Sequence, residues 1–136
     1  SDVADLGRAL AEADFKAVVE LIDRFDAQGR DLYRVLIDLQ AVVQGALLDS
    51  VQQNGSSDRL GGRMTTEALA RLLDGLREGE ADLKFGLSEK VNFEVTLIKA
   101  IENSRARAID SLIRELSGLA VQTGEPPEPD GEKKKP

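Results

Sequence analysis

The sequence predicts an all-α protein: a single compact bundle of about five to six helices with a disordered C-terminal tail. Three observations lead there. Apolar residues recur three and four apart through most of the first 119 positions, the spacing of a helix with one buried face. Between the stripes stand residues that start or stop helices, with Asp, Ser or Thr at the starts and Gly at the ends. From Gly124 the composition changes. GEPPEPDGEKKKP has no apolar side chain beyond its prolines, so it buries too little to offset chain entropy. The expected organisation is a helical domain over residues 1–123 and a disordered linker over 124–136.

Each element has its own signal. Val3, Leu6, Leu10 and Ala13 make a short first helix, capped by Ser1 or Asp2. Asp14 caps the second, whose stripe is Phe15, Val18, Ile22 and Phe25. Gly29 ends it, because glycine enters the left-handed conformation cheaply. Asp31 opens the longest helix, running to about Gln52 on Leu32, Val35, Leu36, Leu39, Val42, Val43, Ala46 and Leu47. Gly45 lies inside it at a cost near ~1 kcal/mol relative to Ala, and close approach to another helix is the expected reason. Residues 54–62, NGSSDRLGG, read as a flexible loop in which no strand is expected.

The fourth helix is capped by Thr65 or Thr66 and carries Leu69, Leu72, Leu73, Leu76 and Leu83, with Gly75 and Gly79 weakening its second half. Ser88 caps a fifth. There VNFEVTLIKAI is apolar nearly all round: Val91, Val95 and Ile98 on one face, Phe93, Leu97 and Ile101 on another. Such a helix is expected at the centre of its domain. Ser104 starts a sixth, with Ile109, Leu112, Ile113, Leu116 and Leu119 on one face. The expected core is Phe15, Ile22, Phe25, Leu36, Leu39, Leu73, Phe93, Leu97, Ile98, Ile101, Ile109 and Leu112.

Composition limits function. The chain has 136 residues, 41% apolar but only 4% aromatic, so the core rests on Leu, Ile, Val and Ala. It has no cysteine, which excludes disulfides, thiolate metal sites and cysteine nucleophiles. It has no histidine, so the commonest general base and metal ligand are missing. The net charge of −7 opposes binding to a phosphate backbone. No signal peptide and no apolar run of about 20 residues is present, and a soluble, cytoplasmic protein is expected. The start at Ser1 and the polar end fit a piece excised from a longer protein.

The charged groups offer candidate sites, each with a plainer account. Glu78 with Glu80 or Asp82, and Asp23 with Asp26, are carboxylate pairs, but solvated helix surface explains them better than acid–base work. Lys99, Arg105 and Arg107, with Lys90 nearby, form the densest basic cluster, a candidate contact for DNA or an acidic partner. Leftover apolar surface on the third and sixth helices is the better interface candidate, and there Arg30 and Tyr33 are residue types favoured at interfaces. Arg30, Tyr33, Lys99, Arg105 and Arg107 are thus the candidate interface residues. No catalytic, cofactor-binding or metal-binding residue is expected. A phosphate-binding loop would need Gly-Lys-Ser/Thr after a strand, and the glycines of residues 54–62 lack that ending.

Two segments together, residues 14–48 and 64–101, resemble domain III of the gamma/tau subunit of the bacterial DNA polymerase III clamp loader. One motif is the turn into the long helix, here Gln28, Gly29, Arg30, Asp31 and Leu32. The other is an acidic-aliphatic stretch, here Phe93, Glu94, Val95, Thr96, Leu97, Ile98 and Lys99. Where that family often has a preceding proline, this chain has Ser88, Glu89 and Lys90. The stripe from Ile109 to Leu119 has no close counterpart in the resemblance. The resemblance implies a non-catalytic collar domain that follows an ATPase module and packs with matching domains of other loader subunits. The collar holds the ATPase modules while they place the sliding clamp on primed DNA, which makes DNA an indirect partner, reached through the whole complex. The implied partners are the other loader subunits, with the isolated piece monomeric. The alternatives are a helical adaptor that binds an amphipathic peptide in a groove and, more remotely, an enzyme using a carboxylate pair.

Overall fold

The computed structural model describes residues 2–122, without the side chains of residues 106–111 and 120–122. Among the described residues the chain is all-α, with six helices: α1 (Asp2–Glu12), α2 (Phe15–Ala27), α3 (Leu32–Gln52), α4 (Thr66–Glu78), α5 (Glu80–Phe85) and α6 (Glu89–Gln122). A minimal antiparallel ladder, β1 (Ser56–Ser57) with β2 (Met64–Thr65), joins α3 to α4 and pairs Ser56 with Thr65 and Ser57 with Met64.

The helix starts follow side-chain chemistry legible in the sequence. The Asp14 carboxylate accepts from the Ala17 N–H at 3.0 Å. That of Asp31 accepts from the N–H groups of Tyr33 and Arg34. The Thr65 hydroxyl accepts from Ala68 N–H and the Ser88 hydroxyl from Val91 N–H. Each satisfies a donor that the first helical turn leaves unpaired. At the end of α2, Gly29 sits at φ 72°; its N–H donates to the Asp26 carbonyl, and the Arg30 N–H donates to that of Phe25. This double closure turns the chain sharply into α3.

The core is one cluster drawn from all six helices. Ile22, Phe25, Leu36, Leu39, Phe93, Leu97 and Ile101 are at most 1% exposed, and Leu73 is buried. Phe15 is half-buried against the cluster's edge and Ile98 is half-buried. Helix α6 touches every other helix, most extensively α4. No buried side-chain polar atom among the described residues lacks a hydrogen-bond partner.

The Ser56–Ser57 strand stands in a segment where no strand is expected, and the structure departs from the sequence reading at five further places. The expected fifth and sixth helices are one helix. Ser104, read as a cap, is buried in its interior and donates from Oγ to the Ala68 carbonyl at 3.1 Å. A serine inside a helix is tolerated when a neighbouring backbone oxygen accepts a hydrogen bond from its hydroxyl. The fourth helix instead breaks at Gly79, where α4 ends and the one-and-a-half-turn α5 begins. Leu112, expected in the core, is 54% exposed; the side chain of Ile109 lies outside those described.

Gly45 is not at a close helix contact, since a Cβ there would meet nothing within 4 Å. The close approach occurs at Gly75, where a Cβ would lie 2.7 Å from the Ala100 Cα, and again one turn on at Gly79, against Thr96. Finally, the segment read as a free loop is anchored. Leu60 is 5% exposed and packs by Gly7 of α1. The Ser57 hydroxyl donates to Asp49 Oδ2 at 2.6 Å, and Arg59 pairs with the other Asp49 oxygen at 3.5 Å. The tail read as a linker, residues 124–136, lies outside the described residues.

Candidate functional site

Helices α4 and α6 run antiparallel and nearly in contact through their backbones. Gly79 faces Thr96, Gly75 faces Ala100, the Asn103 amide donates to the Arg71 carbonyl, and Ser104 reaches Ala68. Following this pairing, α4 begins at about the level of residue 108 of α6. Beyond it, among the described side chains, Arg114 reaches back to Glu67 at 4.0 Å. At 1.5 Å per residue, the 14 residues 109–122 form an overhang of about 20 Å. Every described side chain from Leu112 to Leu119 is exposed. Leu112, Ile113, Leu116 and Leu119 are 54–57% exposed.

Two further apolar side chains stand at the same end. The Ser50 hydroxyl meets Thr66 Oγ1 at 2.8 Å, so the last turn of α3 lies beside the start of α4. Leu48 and Val51 of that last stretch are exposed at 57% and 66%. The near end of α6 carries a second apolar patch. Phe85 ends α5 with the Lys84 ammonium 5.8 Å from its ring centre, Leu87 stands in the α5–α6 connection, and Val91 and Val95 project from α6, all exposed. The segment 91–101 is therefore apolar all round but buried on one face only. Phe93, Leu97, Ala100 and Ile101 face the domain centre, while Val91 and Val95 face outward.

The predicted interface residues do not converge. Arg30 is half-buried, pairs with Asp2 at 3.4 Å and stacks over the Phe25 ring at 4.7 Å. It ties α1 to the α2–α3 turn. Tyr33 packs at the core's edge with the Lys84 ammonium 5.7 Å from its ring centre. Lys99 is exposed and lines a shallow groove of about 120 Å³ with Glu78, Asp82 and Asn92. Arg105 is exposed on α6, and the side chain of Arg107 is outside those described. Lys90 is not free to join a basic cluster: its ammonium is 2.8 Å from Asp23, which raises its pKa.

In each carboxylate set one member is engaged by another side chain. Asp23 is committed to Lys90, and Glu80 accepts from the Gln40 amide at 3.0 Å. Among the described residues no group of three or more Asp or Glu is placed to hold a metal ion. A hollow of about 570 Å³ beside the β1–β2 connection is lined by Asp49, Gln53, Ser56, Ser57, Asp58, Arg59 and Arg63. Its polar groups largely bond one another, with Asp49 held by Ser57 and Arg59, and Arg63 donating to Ser56.

The apolar overhang falls on the sixth-helix stripe whose leftover apolar surface the sequence offers as an interface candidate, although Ile109 and Leu112 of that stripe are expected in the core. No helix among the described residues is long and apolar enough to cross a membrane. Comparison with protein-family models, curated proteins and solved structures gives no match to this chain.

Proposed function

We propose that this chain is a non-catalytic assembly domain, the collar domain of a DNA polymerase III clamp-loader gamma/tau subunit. The observation that carries the reading is the placement of uncovered apolar surface. One patch stands at each end of α6, with Phe85, Leu87, Val91 and Val95 at one and Leu112 to Leu119 at the other. A member of a ring needs two different contact surfaces, one for each neighbour, and exposed apolar patches of this kind mark interaction sites. The Gln28–Leu32 turn and the Phe93–Lys99 stretch support the specific family by resemblance.

On this reading the work is mechanical. Phe93, Leu97 and Ile101 fix α6 to the domain, and α6 presents its two apolar ends at a set distance. Neighbouring subunits bury those ends, and the linked ATPase modules are thereby held in register during loading of the sliding clamp. The domain itself makes and breaks no bonds.

The test is co-purification of this chain with the other clamp-loader subunits of its source. The wild-type chain is expected to be retained in the complex. Val91→Glu with Val95→Glu, and separately Leu112→Glu with Leu116→Glu, are expected to release it. All four positions are exposed, so circular dichroism should show an unchanged fold. Failure of the wild-type chain to co-purify with any loader subunit overturns the clamp-loader reading.

A further inference from the structure

The overhang of α6 carries a spacing that fits a specific partner. Ile109, Leu112, Leu116 and Leu119 follow one another at intervals of three, four and three. This is the a–d–a–d seam of a heptad pattern. It is also a palindrome centred on residue 114. When two copies of the helix are laid antiparallel about that centre, position 109 meets 119 and position 112 meets 116. Ile113, beside the seam, then lies close to its own symmetry mate.

We propose that, when ring neighbours are absent, two copies of this chain pair through their α6 overhangs as an antiparallel, two-fold dimer. The inference rests on reading the overhang as an interface, but it does not depend on the clamp-loader assignment. It departs from the monomer expected for the isolated piece.

Three observations select a second copy as the occupant. First, residues 123–136 give the stripe no cover of their own, because they contain no apolar side chain other than proline. Second, the palindromic spacing makes the surface complementary to itself, as a two-fold contact requires. Third, the area suffices. At roughly 100 Å² of exposed surface each, Leu112, Ile113, Leu116 and Leu119 offer about 400 Å² per chain. Leu48 and Val51, at the same end, bring this to about 600 Å², so a pair reaches about 1,200 Å², the lower edge of specific interfaces. The dimer is accordingly weak and concentration-dependent, and loader subunits that cover the overhang displace it. The flanking charges set the limit on affinity, because Glu115 meets its own symmetry mate across the pair.

Sedimentation equilibrium of the full chain over a broad concentration range tests this. A reversible monomer–dimer equilibrium is expected, and Leu116→Glu should leave a monomer with the same helical circular dichroism. The absence of native cysteine makes the orientation readable. Under mild oxidation, a mixture of Leu112→Cys and Leu116→Cys chains should cross-link several-fold faster than either variant alone. A chain monomeric at every concentration overturns the proposal. So does faster self-cross-linking of each single variant, which marks parallel pairing. Loss of self-association in Val91→Glu with Val95→Glu also overturns it, because that outcome marks head-to-tail contact. None of these results bears on co-purification with loader subunits, so the two readings fail separately.

Discussion

Replacing Gly75 with alanine tests the central packing claim, the backbone-close crossing of α4 and α6. A Cβ at Gly75 would lie 2.7 Å from Ala100 Cα and 2.8 Å from Ala100 Cβ. Ordinary carbon–carbon contact is about 3.5–4.0 Å, so the helices must separate by about 1 Å. Neither obstacle is the mobile end of a long side chain. The separation also loosens the fully buried Leu72, Leu76 and Leu97. Alanine contributes about 1 kcal/mol through helix propensity, whereas overpacking in a close-packed core costs about 1–3 kcal/mol. Both the rigidity of the obstacle and the loosening of three leucines place the cost at the upper end. Net destabilisation is therefore about 1–2 kcal/mol, a fall in Tm of about 3–5 °C per kcal/mol for a domain this size.

Gly45→Ala is the control. It meets nothing within 4 Å, so only propensity acts and the variant should gain about 0.5–1 kcal/mol. Thermal and urea unfolding followed by far-UV circular dichroism measures both. The reasoning is refuted if the two variants shift in the same direction, or if Gly75→Ala is as stable as the parent.

Other outcomes follow from the same structure. Phe93→Ala removes a fully buried ring and should cost about 3–5 kcal/mol, read from the urea midpoint. Leu60→Ala should cost about 2–3 kcal/mol because its side chain is 5% exposed. Leu87→Ala, at a fully exposed position, should stay within about 0.5 kcal/mol of the parent; equal effects at 60 and 87 would mean that the α3–α4 connection is not anchored. The hydrogen bond and attraction from Asp23 raise the Lys90 pKa above its ordinary 10.5. A raised lysine value means that the pair's contribution is complete below 10.5 and fades as pH climbs through the higher folded value. Asp23→Asn should return the Lys90 titration, followed by NMR of its side-chain resonances, toward the ordinary value and remove that alkaline dependence.

The sequence by itself determined the helices and most of their boundaries, because caps act locally. Asp14, Asp31, Thr65 and Ser88 each bond an N–H two or three residues ahead, and Gly29 supplies a left-handed turn to its immediate neighbours. It also determined the deepest core, since Ile22, Phe25, Leu36, Leu39, Phe93, Leu97 and Ile101 lie on strongly periodic faces. Only the tertiary structure decided what meets those faces. Ser104 looks like a cap until the Ala68 carbonyl on α4 accepts its hydrogen bond. Leu60 looks like part of a polar loop until α1 covers it. Periodicity says that a face is apolar but not what covers it. α6 outruns α4 by about three to four turns, which is why Leu112, Ile113, Leu116 and Leu119 stand exposed outside the core.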